Sequence, residues 1–519
     1  MTEDRVSHIL STLPAYIEDV YKPWAESFPD KPALVESSGT WTYRELALAV
    51  DATKSWLLAS GVRPGDRVMI ICENCRAHVA VFFALTAIGA WPVIVNARLA
   101  AREVDQIRDH SGARLVIFTT SVSSQAREHA KRHGASISEV AGLGKIGVGP
   151  LIKGVEPEHV DHESEKRIAA LIYTSGTTGL PKGVMLTHKN LLFIAAISAE
   201  IRSLGPEDRV YGILPMSHAV GLSVVLLGSL LSGATLYLSP RFDPVLTLQS
   251  LEKDQLTVVL GVPSMFALLL EYATMKGLQS LSFPALRIIS SSGAPLHQGV
   301  KDGVEKLFGM VLHNGYGVTE TSPNIAMTWP NSPRKDTSVG PVFPGVEIAL
   351  IGKDGQRVKD GEVGELRVRG PSVMRGYYRD PKETAAAIDA EGWFNTRDLA
   401  RMEKGSLFIL GRTKELIVRF GFNVYPAEVE SVLNNHPLIV RSAVIGRTVA
   451  GDEEVIAFLQ LLPDANLPVS ELQKYAASQL APYKIPSHFI FVPTMPVTAT
   501  GKVVKGELAK ILESSSPAS

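Results

Sequence analysis

Cysteine is almost missing from this chain of 519 residues, which holds only Cys72 and Cys75. So few thiols exclude a disulfide framework and suit a reducing compartment, the cytoplasm. The C-x-x-C spacing raises zinc and redox readings. A structural zinc site needs four ligands, and the sequence has no second pair. Both cysteines follow the apolar run Arg67-Val68-Met69-Ile70-Ile71 and are read as structural thiols. A surplus of charge is missing too. The 52 Lys and Arg balance 53 Asp and Glu to a net charge of −1, so no nucleic acid or anionic membrane surface is expected as a partner. Uninterrupted apolar runs of membrane-spanning length are also lacking. Ala77 to Val95 holds Thr86, Gly89 and Pro92, and Val220 to Leu238 is broken by Ser223, Gly228, Ser229, Ser232 and Gly233. No membrane span is predicted from either. Met1-Thr2-Glu3-Asp4-Arg5 is not a basic region leading into an apolar run, so no signal peptide is expected.

A chain of this length is too long for one core and implies two to four domains. Residues 1–40 carry few strong signals. Thr42 with Glu45 three residues on predicts a capping box opening a helix with Leu46, Val50, Trp56 and Leu57 on its apolar side. Strand and helix patterns then alternate. The strands are Arg67 to Ile71, Pro92 to Val95 and Arg114 to Phe118, with helices from Ala77 and Ala101. Residues 135–165 are weakly periodic and read as a connector. A second series runs through strands Arg209 to Leu214, Ala234 to Leu238, Thr257 to Leu260 and Leu286 to Ser290, with helices from Gly221, Val245 and Pro263. The fold class predicted is α/β, with a large N-terminal domain of two doubly wound halves. From Val339 short alternating strands among Gly, Pro and Asp turns imply a small β-rich subdomain. After Gly411 the order β-α-β-β-α-β implies a smaller, mobile α+β domain. The domains are therefore drawn at 1–411 and 412–519, with Glu513 to Ser519 a polar tail.

The stretch that organises the chain is Tyr173-Thr174-Ser175-Gly176-Thr177-Thr178-Gly179-Leu180-Pro181-Lys182-Gly183. It follows the apolar run Ile168 to Ile172. Alternating hydroxyl and glycine residues turn backbone N–H groups toward an anion, and Lys182 adds a mobile positive charge. This is polyphosphate chemistry. It is not the Walker loop, because Pro181 precedes the lysine and Gly183 follows it. Pro181 also argues against a helix starting directly under the loop.

The loop instead resembles the phosphate loop of adenylate-forming enzymes, the superfamily of acyl-CoA synthetases, luciferases and adenylation domains. Five further stretches resemble that family in its order, from residue 41 to residue 505. The resemblance implies that Thr174, Ser175, Gly176, Thr177, Thr178, Gly179 and Lys182 bind ATP phosphates. Ser291-Ser292-Gly293-Ala294-Pro295, which alone reads as a strand-to-helix turn, would border adenine and the acyl group through Gly293 and Ala294. Asn314-Gly315-Tyr316-Gly317-Val318-Thr319-Glu320 places an aromatic face beside a hydroxyl and a carboxylate. By resemblance Asn314, Gly315, Tyr316 and Gly317 form the nucleotide site, with Tyr316 packed on adenine. Thr319 would contact the α-phosphate, and Glu320 would hold Mg²⁺, which prefers a hard oxygen ligand. In Gly392-Trp393-Phe394-Asn395-Thr396-Arg397-Asp398, Asp398 matches the ribose ligand, while Arg397 stands where the family usually has glycine. Arg412 would be the second ribose contact and Lys414 the hinge. Gly421 and Phe422 match the coenzyme A tunnel, and Lys502 matches the catalytic lysine that bridges substrate carboxylate and α-phosphate. His218, with Gly293, Gly317 and Val318, would line the acyl pocket.

The resemblance implies two steps: adenylation of a small carboxylic acid by Mg·ATP, then transfer to the thiol of coenzyme A. Lys182, Thr319, Glu320 and Lys502 would be the catalytic set. A carrier-protein thiol is the alternative acceptor, and a luciferase-like oxidation is not excluded. A non-catalytic nucleotide binder would need neither Lys502 nor Glu320. The stretches around the pocket hold no obvious cation for a dicarboxylate, which leaves a medium- or long-chain fatty acid or an aryl acid. A monomer or homodimer is expected.

Overall fold

The computed structural model describes residues 3–175, 181–420, 422–449, 452–498 and 503–515. Its architecture follows from strands that are apolar on both faces. All six residues of Arg67–Cys72 are buried, with Val68, Ile70 and Cys72 entering one core and Met69 and Ile71 another. Val258 and Leu260 meet the first core from the opposite side, while Val259 enters a third. Parallel sheets covered on both faces require this pattern.

Two eight-stranded sheets result. One runs Gly376–Tyr377, Pro181–Thr187, Ile168–Ser175, Trp91–Asn96, Arg67–Cys72, Leu115–Phe118, Gly144–Val148, Ser136–Val140, with its four middle strands parallel. The other runs Asn324–Met327, Leu312–Gly317, Ile288–Ser291, Val258–Gly261, Arg209–Gly212, Thr235–Leu238, Pro32–Glu36, Gly39–Thr42 and is parallel except at its two edges. The helices Arg76–Ile88 and His188–Ile201 are buried on nearly every side and join residues of both sheets in a single core. Apolar residues all round a helix demand such a position. The predicted capping residue Thr42 accepts from the Glu45 N–H at 3.2 Å, and Thr187 caps the helix His188–Ile201 by accepting from the Asn190 N–H at 3.2 Å.

Several expectations are corrected. The two halves are not sequential, because the hairpin Pro32–Thr42 joins the second sheet through Leu34 opposite Leu236. A pairing between positions some 200 residues apart leaves no local signal. The stretch 135–165 is not a plain connector, since Ser136–Val140 and Gly144–Val148 extend the edge of the first sheet. Edge strands tolerate the charge and glycine that obscured them. A strand, Pro181–Thr187, begins within the phosphate-loop stretch and folds back on Ile168–Ser175; proline is admissible at the first position of a strand. The helix expected from Gly221 is wound as a π-helix over Val220–Leu227 before a short α-helical turn.

The β-rich subdomain is a four-stranded antiparallel sheet, Glu347–Ile351, Val363–Arg369, Phe394–Glu403 and Ser406–Arg412. The C-terminal domain has its own core. Its first strand, Ile417–Arg419, pairs with Phe422–Val424 in a separate hairpin rather than entering the main sheet of Ile439–Val449, Asp452–Leu461 and His488–Phe491. The expected tail is partly helix, because Lys505–Ser515 forms a last helix. The domain touches the large one where Asn435 Oδ1 accepts from the Gly299 N–H at 3.2 Å and Asn434 Nδ2 meets His297 Nε2 at 3.0 Å. Among the described residues no helix is long and apolar enough to cross a membrane.

Candidate active site

Parallel strands present their carboxyl ends on one side of a sheet, and ligands bind there. Ile288–Ser291 and Leu312–Gly317 are neighbours in register, Ser291 opposite Asn314, so Gly293 and Tyr316 emerge side by side. His218 follows Arg209–Gly212 of the same sheet. Gly293 has a φ of 83°, a conformation glycine adopts without cost.

The residues picked out for the ribose end converge. Asp398 and Arg412 are direct partners across Phe394–Glu403 and Ser406–Arg412. Arg412 Nε lies 3.3 Å from Asp398 Oδ1, and Tyr316 Oη donates to Asp398 Oδ2 at 2.5 Å. Burial, then the negative charge of Asp398, raises the Tyr316 phenol, so it remains a donor. Asp398 is itself buried, its backbone N–H donating to Thr396 Oγ1 at 3.1 Å.

A second group gathers around Tyr377. Its hydroxyl donates to Glu320 Oε1 at 2.9 Å, and Lys182 Nζ stands 5.2 Å above its ring centroid. The backbone N–H of Met374 donates to the Glu320 carbonyl at 2.8 Å. Lys182 is not the freely mobile charge expected: it pairs with Glu383 at 2.6 Å. Lys182, followed by Arg397, holds the Glu383 carboxyl below its ordinary range. Thr319 opens the short 3-10 turn Thr319–Thr321 beside Glu320. Thr174 lies opposite Lys182 in the ladder of Ile168–Ser175 and Pro181–Thr187.

Arg397 adopts φ 59°, the left-handed region that glycine fills more readily. Its strain is met by anchoring: its N–H donates to Asn395 Oδ1 at 2.8 Å and its carbonyl accepts from Thr413 Oγ1 at 3.2 Å. The structure therefore keeps a glycine-type turn despite the arginine. Lys414 is exposed in the three-residue turn Thr413–Glu415, directly after the last strand of the subdomain.

Other expected residues have different surroundings. The Asn314 side chain donates to the Thr337 carbonyl at 2.9 Å and braces the loop there. His218 is half-buried, and burial, with the nearby Arg98 charge, pushes it down to about 4, so it is neutral at pH 7. Phe422 is exposed and stacks on Tyr483 at 4.6 Å. Cys72 and Cys75 are buried free thiols, Cys75 pushed up to about 12 by burial, as structural thiols should be. Gly176, Thr177, Thr178, Gly179, Gly421 and Lys502 lie outside the described residues. Tyr377 and Glu383 were not foreseen. Asp380 and Pro381 did signal a helix start, with Asp380 accepting from the Glu383 N–H at 2.9 Å, but nothing local tells which residues that helix would face.

Residues 21–378 match the AMP-binding enzyme family, and residues 428–502 match the AMP-binding enzyme C-terminal domain. The feruloyl-CoA synthase of Amycolatopsis sp is 32% identical over 94% of this chain and 97% of its own length. The crystal structure of ATP-bound MatB from Rhodopseudomonas palustris superposes with a TM-score of 0.84 at 28% identity, over 96% of this chain and 99% of that one. The o-succinylbenzoate CoA synthetase MenE of Bacillus subtilis, in complex with its acyl-adenylate OSB-AMP, gives 0.80 at 29% identity, over 94% and 97%. The paired two-sided sheets, the separate C-terminal domain and these matches lead to one conclusion: the chain belongs to the AMP-binding enzyme family.

Proposed function

We propose that this enzyme is an ATP-dependent acyl-CoA ligase. A carboxylate oxygen attacks the α-phosphorus of ATP, the bond to pyrophosphate breaks, and an acyl-adenylate forms. The coenzyme A sulfur then attacks the acyl carbon, the acyl–phosphate bond breaks, and AMP leaves. The observation that carries this reading is the convergence of Tyr316, Asp398 and Arg412 at one end of the site with Lys182, Tyr377 and Glu320 at the other. The first group suits a nucleoside, where a buried carboxylate accepts from ribose hydroxyls. The second suits its phosphates.

In this reading Lys182 and the loop 174–179 hold the phosphates, Thr319 meets the α-phosphate, and Gly293, Ala294 and Asn314 to Gly317 shape the adenine slot. Glu320 would hold Mg²⁺ together with the phosphates. A lone carboxylate fits, because Mg²⁺ is commonly bound by one or two carboxylates plus substrate phosphates. The metal would neutralise phosphate charge. Lys502 offsets the charge developing on the α-phosphorus. Gly421 and Phe422 border the thiol path, and the domain of residues 412–519 turns about Lys414 between the two steps. Neutral His218, with Gly293, Gly317 and Val318, lines a pocket for a fatty or aryl acid; the feruloyl and o-succinylbenzoate relatives favour the aryl class. The unpaired thiols suit a reducing compartment such as the cytoplasm, and a monomer or homodimer is the assembly proposed.

The test is pyrophosphate release with Mg·ATP across a panel of fatty and aryl acids, each with and without coenzyme A. Continuous turnover requiring both an acid and coenzyme A is expected. One equivalent of pyrophosphate per enzyme, indifferent to coenzyme A, would instead assign a carrier-protein acceptor.

A further inference from the structure

Lys182 does not meet Glu383 alone. Lys182 Nζ at 2.6 Å and an Arg397 guanidinium nitrogen at 2.9 Å share one oxygen of that carboxylate, Oε1. Two cations on one oxygen repel each other and divide its attraction. The trio also carries a net charge of +1, where a simple Lys182–Glu383 pair would be neutral. Arg397 sits in a left-handed turn, at φ 59°, that a glycine would occupy more cheaply, so its side chain comes with a backbone cost. That turn lies against the hinge side of the site, since the single Thr413 hydroxyl proton has the Glu365 carboxylate at 2.9 Å and the Arg397 carbonyl at 3.2 Å as its two acceptors. Glu383 is only partly exposed, and the Asp380 side chain caps its backbone N–H at 2.9 Å, which anchors the helix start that carries it.

We propose that Glu383 and Arg397 are positioning residues that poise Lys182 for the nucleotide: Glu383 parks the lysine, and Arg397 weakens that hold. When a triphosphate draws Lys182 away, Arg397 remains on Glu383, so no partly buried carboxylate is left unpaired. The excess positive charge then serves the phosphates instead of being cancelled. This rests on the reading of Lys182 as a phosphate ligand.

The experiment is ATP binding by titration calorimetry on the full chain, which needs no knowledge of the acid. Wild type, Lys182→Ala, Arg397→Gly, Arg397→Lys, Glu383→Gln and the double variant Arg397→Gly/Glu383→Gln are compared, each checked by thermal melting. Arg397→Gly is expected to weaken ATP about fivefold, because Glu383 then holds Lys182 alone, without lowering the melting temperature. Arg397→Lys restores binding to within about twofold. In the Glu383→Gln background the glycine substitution changes affinity less than about twofold, the non-additivity of a shared contact. An equal loss in both backgrounds, or none in either, overturns the proposal, since Arg397 would then act on phosphate directly or not at all. Absence of ATP binding by wild type, or wild-type affinity in Lys182→Ala, would overturn the phosphate reading beneath it.

Discussion

A Cβ placed on Gly317 would lie 1.6 Å from the carbonyl oxygen of Pro323, a distance no rearrangement of side chains relieves because the obstacle is backbone. Gly317→Ala should therefore cost about 3 kcal/mol of stability or more, read as a lowered denaturation midpoint; an unchanged midpoint would show that the strand end Leu312–Gly317 shifts freely. Steric facts of this kind explain what was readable one residue at a time. The glycines at 315 and 317 beside Tyr316, with Glu320 just beyond, are chemically suggestive in the string itself. That Tyr316 would bond Asp398, 82 positions away, is not. Nor could the string tell that Lys182 would be held by Glu383, or that Arg397 would keep a glycine's conformation.

Elements were legible where local chemistry is decisive and lost where partners are distant. The capping box at Thr42 names its helix in four residues. The edge strands Ser136–Val140 and Gly144–Val148 have no such marker, because an exposed edge imposes no apolar pattern. The last helix, Lys505–Ser515, is tied down by charge: Lys505 Nζ pairs with Glu415 at 3.0 Å and with Glu430 at 2.9 Å, and Glu430 also accepts from the Val444 N–H at 2.7 Å. Lys505→Met would strand a buried carboxylate. It should destabilise the C-terminal domain by about 3 kcal/mol, seen in denaturant titration as an earlier first transition with the large domain's transition in place. Coincident wild-type and variant curves would show these ion pairs to be energetically idle.

At the scale of the whole molecule, His78, His188 and His313 are among the histidines buried where a charge is poorly tolerated. Burial lowers His78 and His313 to about 4 and His188 to about 3, from an ordinary 6.5. His188 moreover accepts the Ile17 N–H at 3.0 Å through Nδ1, which requires that nitrogen to be unprotonated. Below pH 6.5 the unfolded chain binds protons that the folded chain refuses, so folding stability must fall as pH drops toward 4. Each histidine contributes about 1 kcal/mol per pH unit. Denaturation midpoints at pH 7, 6 and 5 should decline in that order, and His78→Gln should flatten the decline; a flat profile for wild type would mean these groups charge in the folded state. By itself the sequence determined the α/β class and a separate C-terminal domain, because periodicity and capping are local properties of the chain, and its glycine-hydroxyl loop pointed to phosphate chemistry. Tertiary structure alone decided that the hairpin Pro32–Thr42 completes the second sheet, that Asp398 is clasped by Tyr316 and Arg412, and that Glu383 divides itself between Lys182 and Arg397. Those are contacts between residues far apart in the chain, selected by the packing of two sheets around shared helices, and no short stretch encodes them.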